Sequence, residues 1–345
     1  MRALRLTGWK QLPEFVDVPE PEPGPGEVVV RIGGAGACHS DLHLMEEFDT
    51  GMLPFDPPFT VGHENAGWVE ALGAGVGGLE VGQAVAVYGP WGCGQCRRCR
   101  LGMENYCENQ PARGAMGGGL GADGGMAPFM KVPHARFLVP IGDLDPVDAA
   151  PLTDAGLTPY HAVKRSLDQL VPGTNAVVIG VGGLGHMGVQ FLRHLSAATV
   201  IAVDQRNEAL TLAEKVGAHH LVLAGPDATT QVRELTRGKG ADLIIDFVGS
   251  DSTLALGASV GRPLGHMTVV GLAGGTLPIS FFRVPYELSV ATTYWGTLPE
   301  LMEVIELAKA GHVASHAHRY PIDQALDAYR EMREGRLEGR AVIVP

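Results

Sequence analysis

The segment Gly180-Val181-Gly182-Gly183-Leu184-Gly185 constrains this chain more than any other. It has the G-x-G-x-x-G spacing, it follows the apolar run 176–179, and it opens a helical pattern. In that helix Leu184, Met187, Phe191, Leu192 and Leu195 fall on one face. Each glycine answers a steric need. Gly180 permits the tight turn, Gly182 lets backbone approach a pyrophosphate, and Gly185 lets helix pack closely on strand. Gly183 and Leu184 complete a turn whose N–H groups, together with the helix dipole, suit an anion. Downstream, β-branched runs at 199–203, 242–247 and 266–270 alternate with helical patterns at 207–216 and Ala228–Leu235. That alternation predicts βαβ units and a doubly wound parallel sheet, a Rossmann domain expected over 153–290.

Asp204 ends the second strand, about 20 residues beyond the last glycine, where a dinucleotide-binding fold places its ribose-binding acid. A carboxylate there accepts hydrogen bonds from the adenosine ribose and repels a 2′-phosphate, which favours NAD over NADP; Arg206 nearby softens that discrimination. The alternative is that Asp204 caps the following helix, although Asn207 is better placed to do so.

The first 150 or so residues read differently. Short apolar runs at 27–32, Glu64–Leu72 and 84–88, separated by Gly and Pro, predict a β-rich domain. Residues 117–125 are mostly glycine and read as a mobile loop. After residue 290 come one more strand, helices at 298–310 and 322–334, and a final strand at 341–344. Patterning alone allows that stretch in either domain, and the expectation is a first domain of 1–152 with 291–345. A chain of 345 residues is long enough for two cores.

Four of the five cysteines, Cys93, Cys96, Cys99 and Cys107, form C-x2-C-x2-C-x7-C. Such short spacers let four thiolates converge on zinc, and four protein donors leave no position for water, so the site would be structural. An iron–sulfur cluster is the chemical alternative, and a chance run of buried cysteines the bland one. The fifth, Cys38, follows a strand-like run, as does His63. A thiolate and an imidazole suit zinc, but spacing cannot pair them. A buried small hydrophobe and a turn histidine explain them equally well.

Lys and Arg total 26 against 38 Asp and Glu, a formal charge of −12. That balance argues against a nucleic-acid binder, whose affinity comes from cations on phosphates. There is no apolar run of about 18 residues and no signal-like N-terminus, so the expectation is a cytoplasmic protein, not membrane-bound, with reduced thiols.

Taken in order, Cys38-His39-Ser40-Asp41, Gly62-His63-Glu64, the four-cysteine loop and the glycine turn resemble the zinc-dependent medium-chain alcohol dehydrogenases over essentially the whole chain. The stretches Tyr88-Gly89-Pro90-Trp91-Gly92-Cys93, Pro151-Leu152-Thr153-Asp154-Ala155-Gly156-Leu157-Thr158 and Tyr294-Trp295-Gly296-Thr297 look most like secondary-alcohol dehydrogenases of the kind found in Rhodococcus. The resemblance implies a GroES-like β-rich catalytic domain joined to the Rossmann domain, with NAD and two zinc ions per chain. Cys38, His63 and Asp154 would hold the catalytic zinc; many relatives have cysteine at the third place, and without the resemblance Asp154 reads as a helix cap. Glu64 would lie beside the metal, and Asp41 would orient His63.

The resemblance also implies that Ser40 and His43 relay the alcohol proton, after which hydride passes to the nicotinamide. A surface role for His43 remains open. His39 and Arg340 would contact the pyrophosphate and Thr158 the nicotinamide, with Val248, Val270, Leu272 and Trp295 along the cofactor. Relatives often carry a lysine where this chain has Ala209. Phe55, Tyr294 and Trp295 would wall the substrate pocket, and Gly89, small where relatives carry an aromatic residue, would leave room for secondary alcohols and ketones. Bacterial relatives of this length are often homotetramers, with a homodimer as the alternative. Two other readings stand: a polyol or amino-alcohol dehydrogenase of the same family, and a non-catalytic NADH-sensing zinc-ribbon module.

Overall fold

Strands buried on both faces need continuous apolar runs, and Asn175–Ile179, Thr199–Asp204 and Ala241–Asp246 supply them. In the computed structural model, which describes residues 1–345, they form the centre of a six-stranded sheet. Its order is His220–Leu223, Thr199–Asp204, Asn175–Ile179, Ala241–Asp246, Gly261–Val269, Ser289–Thr292, and every neighbouring pair is parallel. In chain order this is 3-2-1-4-5-6, the Rossmann order, and the direction of winding reverses between Asn175–Ile179 and Ala241–Asp246. Val177, Ile179, Ile201, Val203, Ile244 and Met267 make its core. The helices Gly185–Leu195, Asn207–Lys215, Ala228–Leu235 and Asp251–Val260 follow the strands.

Chain contacts divide the protein into two compact units, Met1–Leu157 with Trp295–Pro345, and Thr158–Tyr294. The return to the first unit comes a few residues later than the sequence suggests, because Ser289–Thr292 pairs with Gly261–Val269 and extends the parallel sheet.

The first unit is largely antiparallel. One sheet runs Leu138–Pro140, Ala84–Val87, Glu64–Leu72, Val28–Ala37, Arg340–Val344, Ala317–Pro321, with Phe129–Val132 also on Val28–Ala37. The last strand pairs Ala341 with Ala37 and Ile343 with Ala35, which places the C-terminus in this unit. A second sheet joins Glu14–Asp17, Arg2–Leu6 and Phe59–Thr60.

Residues 117–125 are not the mobile loop that their composition suggests. Gly117, Gly118, Gly119, Gly124 and Gly125 are buried, and two short strands, Gly117–Gly118 and Gly121–Ala122, pair within the segment. Gly124 N–H bonds to Thr60 O at 2.8 Å and Gly125 N–H to Gly62 O at 3.0 Å. A Cβ at Gly119 would lie 2.6 Å from Gly62 C, and one at Gly124 would overlap Gly62 O. These glycines permit backbone to pack on backbone. The helix after Asp154 spans Leu157–Lys164 and is followed by one 3-10 turn, Leu167–Gln169.

Candidate functional site

Three turns of the first unit carry the first donor cluster. Cys38 leaves the strand Val28–Ala37 and caps the helix His39–Glu46. His63 precedes the strand Glu64–Leu72, after Gly62, whose φ of +95° disfavours any other residue. Asp154 ends the 3-10 turn Ala150–Thr153. Cys38 Sγ lies 3.9 Å from Asp154 Oδ2, and His63 Nε2 lies 3.5 Å from the same oxygen. All three donor atoms lie within 4.8 Å of one another. Zinc bonded at about 2.0–2.3 Å holds tetrahedral donors roughly 3.3–3.8 Å apart, so this set fits the ion and leaves one position open.

A buried shell supports these donors. Asp41 is fully buried; its Oδ1 lies 3.0 Å from His63 Nδ1, and its Oδ2 accepts from Cys38 N–H at 2.9 Å and from Tyr329 O–H at 2.9 Å. Burial works against a charged His63 imidazole, but Asp41, Asp154 and Cys38 outweigh it and hold its pKa well above the usual range. Glu64 sits behind the donors. Arg340 donates to both its oxygens, at 2.8 and 2.6 Å, and Ala155 N–H adds a third bond at 2.8 Å. Arg340 also comes within 3.8 Å of Asp154 Oδ2. Both Arg340 and Glu64 are buried, and breaking such a pair from one side typically costs about 3–5 kcal/mol. Any side chain at Gly36 would overlap the Glu64 carboxylate, which explains a glycine inside that strand.

The second cluster is local. Cys93, Cys96, Cys99 and Cys107 bring their sulfurs within 4.8 Å of one another, with Cys93 and Cys99 3.9 Å apart. Thiolates on one zinc would lie about 3.8 Å apart, so this set fits as well and closes the coordination sphere. N–H groups of Cys96 and Gln95 point at Cys93 Sγ at 3.3 and 3.4 Å and lower its pKa to about 6, while burial pushes Cys99 up.

In the second unit the glycine turn follows Asn175–Ile179, where the direction of winding reverses. Gly180 has φ +85°, and a Cβ there would meet Val248 Cγ2 at 2.6 Å. Around Gly182 a Cβ would meet nothing within 4 Å, so its backbone faces open space, while one at Gly185 would overlap Gly180 O. The turn therefore offers an approachable anion cradle. Asp204 does not cap the next helix. Its Oδ2 accepts from Val181 N–H at 2.7 Å and its Oδ1 from Arg206 N–H at 2.9 Å, which ties the strand end to the turn.

Comparison with known proteins agrees with both units. Residues 24–143 match the model of the alcohol dehydrogenase GroES-like domain, and residues 183–310 that of the zinc-binding dehydrogenases. An NAD-dependent alcohol dehydrogenase of Sulfurisphaera tokodaii is 35% identical, with 100% of each chain covered. The chain belongs to the GroES-like, zinc-binding alcohol dehydrogenase family. Its fold is that family's, a GroES-like β-rich domain with a Rossmann domain. The crystal structure of the Aeropyrum pernix alcohol dehydrogenase superposes with a TM-score of 0.93 at 39% identity over 100% of both chains. An acetophenone reductase from Geotrichum candidum, in complex with NAD, matches at a TM-score of 0.85 and 30% identity, covering 100% of this chain and 97% of that one.

The other residues that the family resemblance implies are placed as follows. Ser40 Oγ lies 3.5 Å from His63 Nε2, beside the three donors, and His43 Nδ1 lies 2.7 Å from Glu47 Oε1 one turn along the same helix. His39 is exposed at the start of that helix. Thr158 is buried, Val270 nearly so, Val248 half-buried and Leu272 exposed. Phe55 packs on Phe59 and Trp9, with ring centroids 5.6 and 6.2 Å away, in an aromatic cluster of the first unit. Tyr294 is exposed.

Trp295 overturns the expectation for Gly89. The space that Gly89 leaves is not empty, since a Cβ there would overlap the Trp295 ring. That ring stands edge-on to His63 at 5.6 Å, and its Nε1 donates to Thr153 O at 2.8 Å. Trp295 has φ +52°, a conformation that costs an L-residue roughly 1–2 kcal/mol and that the indole hydrogen bond helps to hold. Two residues escaped sequence reasoning. Tyr329 reaches Asp41 from a distant helix and has no motif to reveal it. Asp246 is buried at the end of its strand, with Oδ1 accepting from Val248 and Gly249 N–H at 2.9 and 3.0 Å. A strand-end acid with a glycine three residues on, Gly249, was its available signal.

Proposed function

We propose that this chain is an NAD-linked, zinc-dependent oxidoreductase that interconverts alcohols, chiefly secondary ones, with ketones or aldehydes. The observation that carries the reading is the contrast in donor number: Cys38, His63 and Asp154 leave a coordination position for substrate, whereas the four cysteines leave none. Each chain then carries two zinc ions, one for chemistry and one for structure.

Bound zinc would polarise the alcohol oxygen and ease loss of its proton. Asp41 fixes the His63 ring, and Arg340 holds Glu64 so that this carboxylate is not a free competitor for the metal. Ser40, with its Oγ 3.5 Å from His63 Nε2, would take the substrate proton, and His43, paired with Glu47, would return it to solvent. The glycine turn takes the NAD pyrophosphate, and Thr158, Val248, Val270 and Leu272 of the same unit border the cofactor. Asp204, its carboxylate held in place by two backbone N–H groups, disfavours a 2′-phosphate.

The preference for secondary alcohols rests on likeness to a ketone reductase. Exposed Phe281, Phe282 and Tyr286 pack into an apolar patch that supports self-association, with a homotetramer as the proposed assembly. The test combines elemental analysis with turnover of 2-butanol and 1-butanol, each with NAD and NADP. Two zincs per chain, NAD-dependent turnover and faster oxidation of 2-butanol are expected. One zinc and no turnover would refute the enzyme, and a preference for 1-butanol would refute the substrate class.

A further inference from the structure

The Asp41 carboxylate is fully buried, and the structure names every group that holds it. Oδ1 faces His63 Nδ1, while Oδ2 accepts from one backbone donor, Cys38 N–H, and one side-chain donor, the Tyr329 hydroxyl. Tyr329 is itself buried, at 1% exposure, on the helix Ala325–Arg333, 288 residues from Asp41 in sequence. Its hydroxyl has one other neighbour, Met126 Sδ at 3.5 Å, a weak acceptor that cannot replace a carboxylate.

A carboxylate held at Oδ2 by the Cys38 N–H alone can still turn about its Cβ–Cγ bond. Any turn of that kind moves Oδ1, and with it the aim of the His63 ring. The Tyr329 hydroxyl gives Oδ2 a second donor from another element and removes that freedom. In so buried a place its loss leaves an acceptor short of a partner.

We infer that Tyr329 is a positioning residue for the catalytic zinc, acting through Asp41 on His63. The inference rests on the proposed zinc site at Cys38, His63 and Asp154. Partners of metal-ligating histidines typically contribute 10–100-fold to metal affinity. One step further out, Tyr329→Phe is expected to speed zinc loss from that site about 10-fold.

The experiment follows zinc release from the intact holoenzyme into a chromogenic chelator, for wild type, Tyr329→Phe, Cys38→Ser and Arg333→Ala. Two release phases are expected in wild type, one of which is missing in Cys38→Ser. In Tyr329→Phe that phase accelerates about 10-fold while the four-cysteine phase keeps its rate. Arg333 bonds to Glu46 at the surface, between the same two helices, and does not touch Asp41. Arg333→Ala should therefore release zinc as wild type does, and equal acceleration there would mean that helix docking, not the hydroxyl, is at work. With cobalt in the catalytic site, Tyr329→Phe should also shift the visible ligand-field bands. Unchanged rates and spectrum in Tyr329→Phe overturn the inference alone. A single phase in wild type that persists in Cys38→Ser overturns the zinc site on which it rests.

Discussion

The four donors of the cysteine lobe come from one stretch between Cys93 and Cys107, whereas Cys38, His63 and Asp154 come from three separate turns, with Cys38 and Asp154 116 residues apart. The local set needs little scaffold. Short spacers bring the sulfurs together, and neighbouring backbone N–H groups face them. The dispersed set is held by the fold: Asp41 and Tyr329 secure the imidazole, and Arg340 with Glu64 stands behind the carboxylate. A chain can thus write a structural metal site into one loop, but a site that must keep a position open has to be built by elements that do not themselves bind the ion.

The strongest way to break this contrast is to delete one donor from each set. Cys38→Ser should lower kcat/KM by about 1,000-fold or more, some 4 kcal/mol, while thermal unfolding stays near wild type. Cys93→Ser should leave kcat/KM within a few-fold but lower the melting temperature and open residues 93–107 to limited proteolysis. Equal loss of activity in both variants would erase the distinction between the sites.

A smaller effect tests the scaffold. Asp41→Asn should weaken metal at the three-donor site about 10–100-fold, measured by competition with a chelator, and leave the lobe's metal content unchanged.

The smallest effect concerns protons. The Cys93 thiol has its pKa lowered to about 6, so in the metal-free lobe it is already a thiolate above that pH. Zinc uptake by the lobe at pH 8 should therefore release fewer than four protons, and the number should rise as pH falls toward 6. Calorimetry in buffers of different ionisation enthalpy reads that count, and a constant four across the range would contradict it.

The same contrast governs what could be read from the sequence. The cysteine lobe and the glycine turn are legible because their parts are neighbours in the chain, and spacing there encodes geometry. Cys38, His63 and Asp154 could be paired only through family resemblance, since their meeting is a tertiary fact. Asp204 was placed correctly at a strand end, but its bond to Val181 N–H depends on how the turn folds back. Gly89 was misread because the group that fills its space, Trp295, arrives from the far end of the chain. Residues 117–125 were misread for a different reason. Hydrophobic periodicity registers side chains, and a run of glycines that packs through its main chain carries no such signal.

That glycine segment bears directly on His63. A Cβ at Gly119 would stand 2.9 Å from the His63 amide nitrogen, and Gly125 N–H bonds to the carbonyl just before His63. The ligand's main chain is thus seated in a mould cast from atoms common to every amino acid. Part of the proposed metal centre is specified by glycine hydrogens, and a catalogue of reactive groups would never include it.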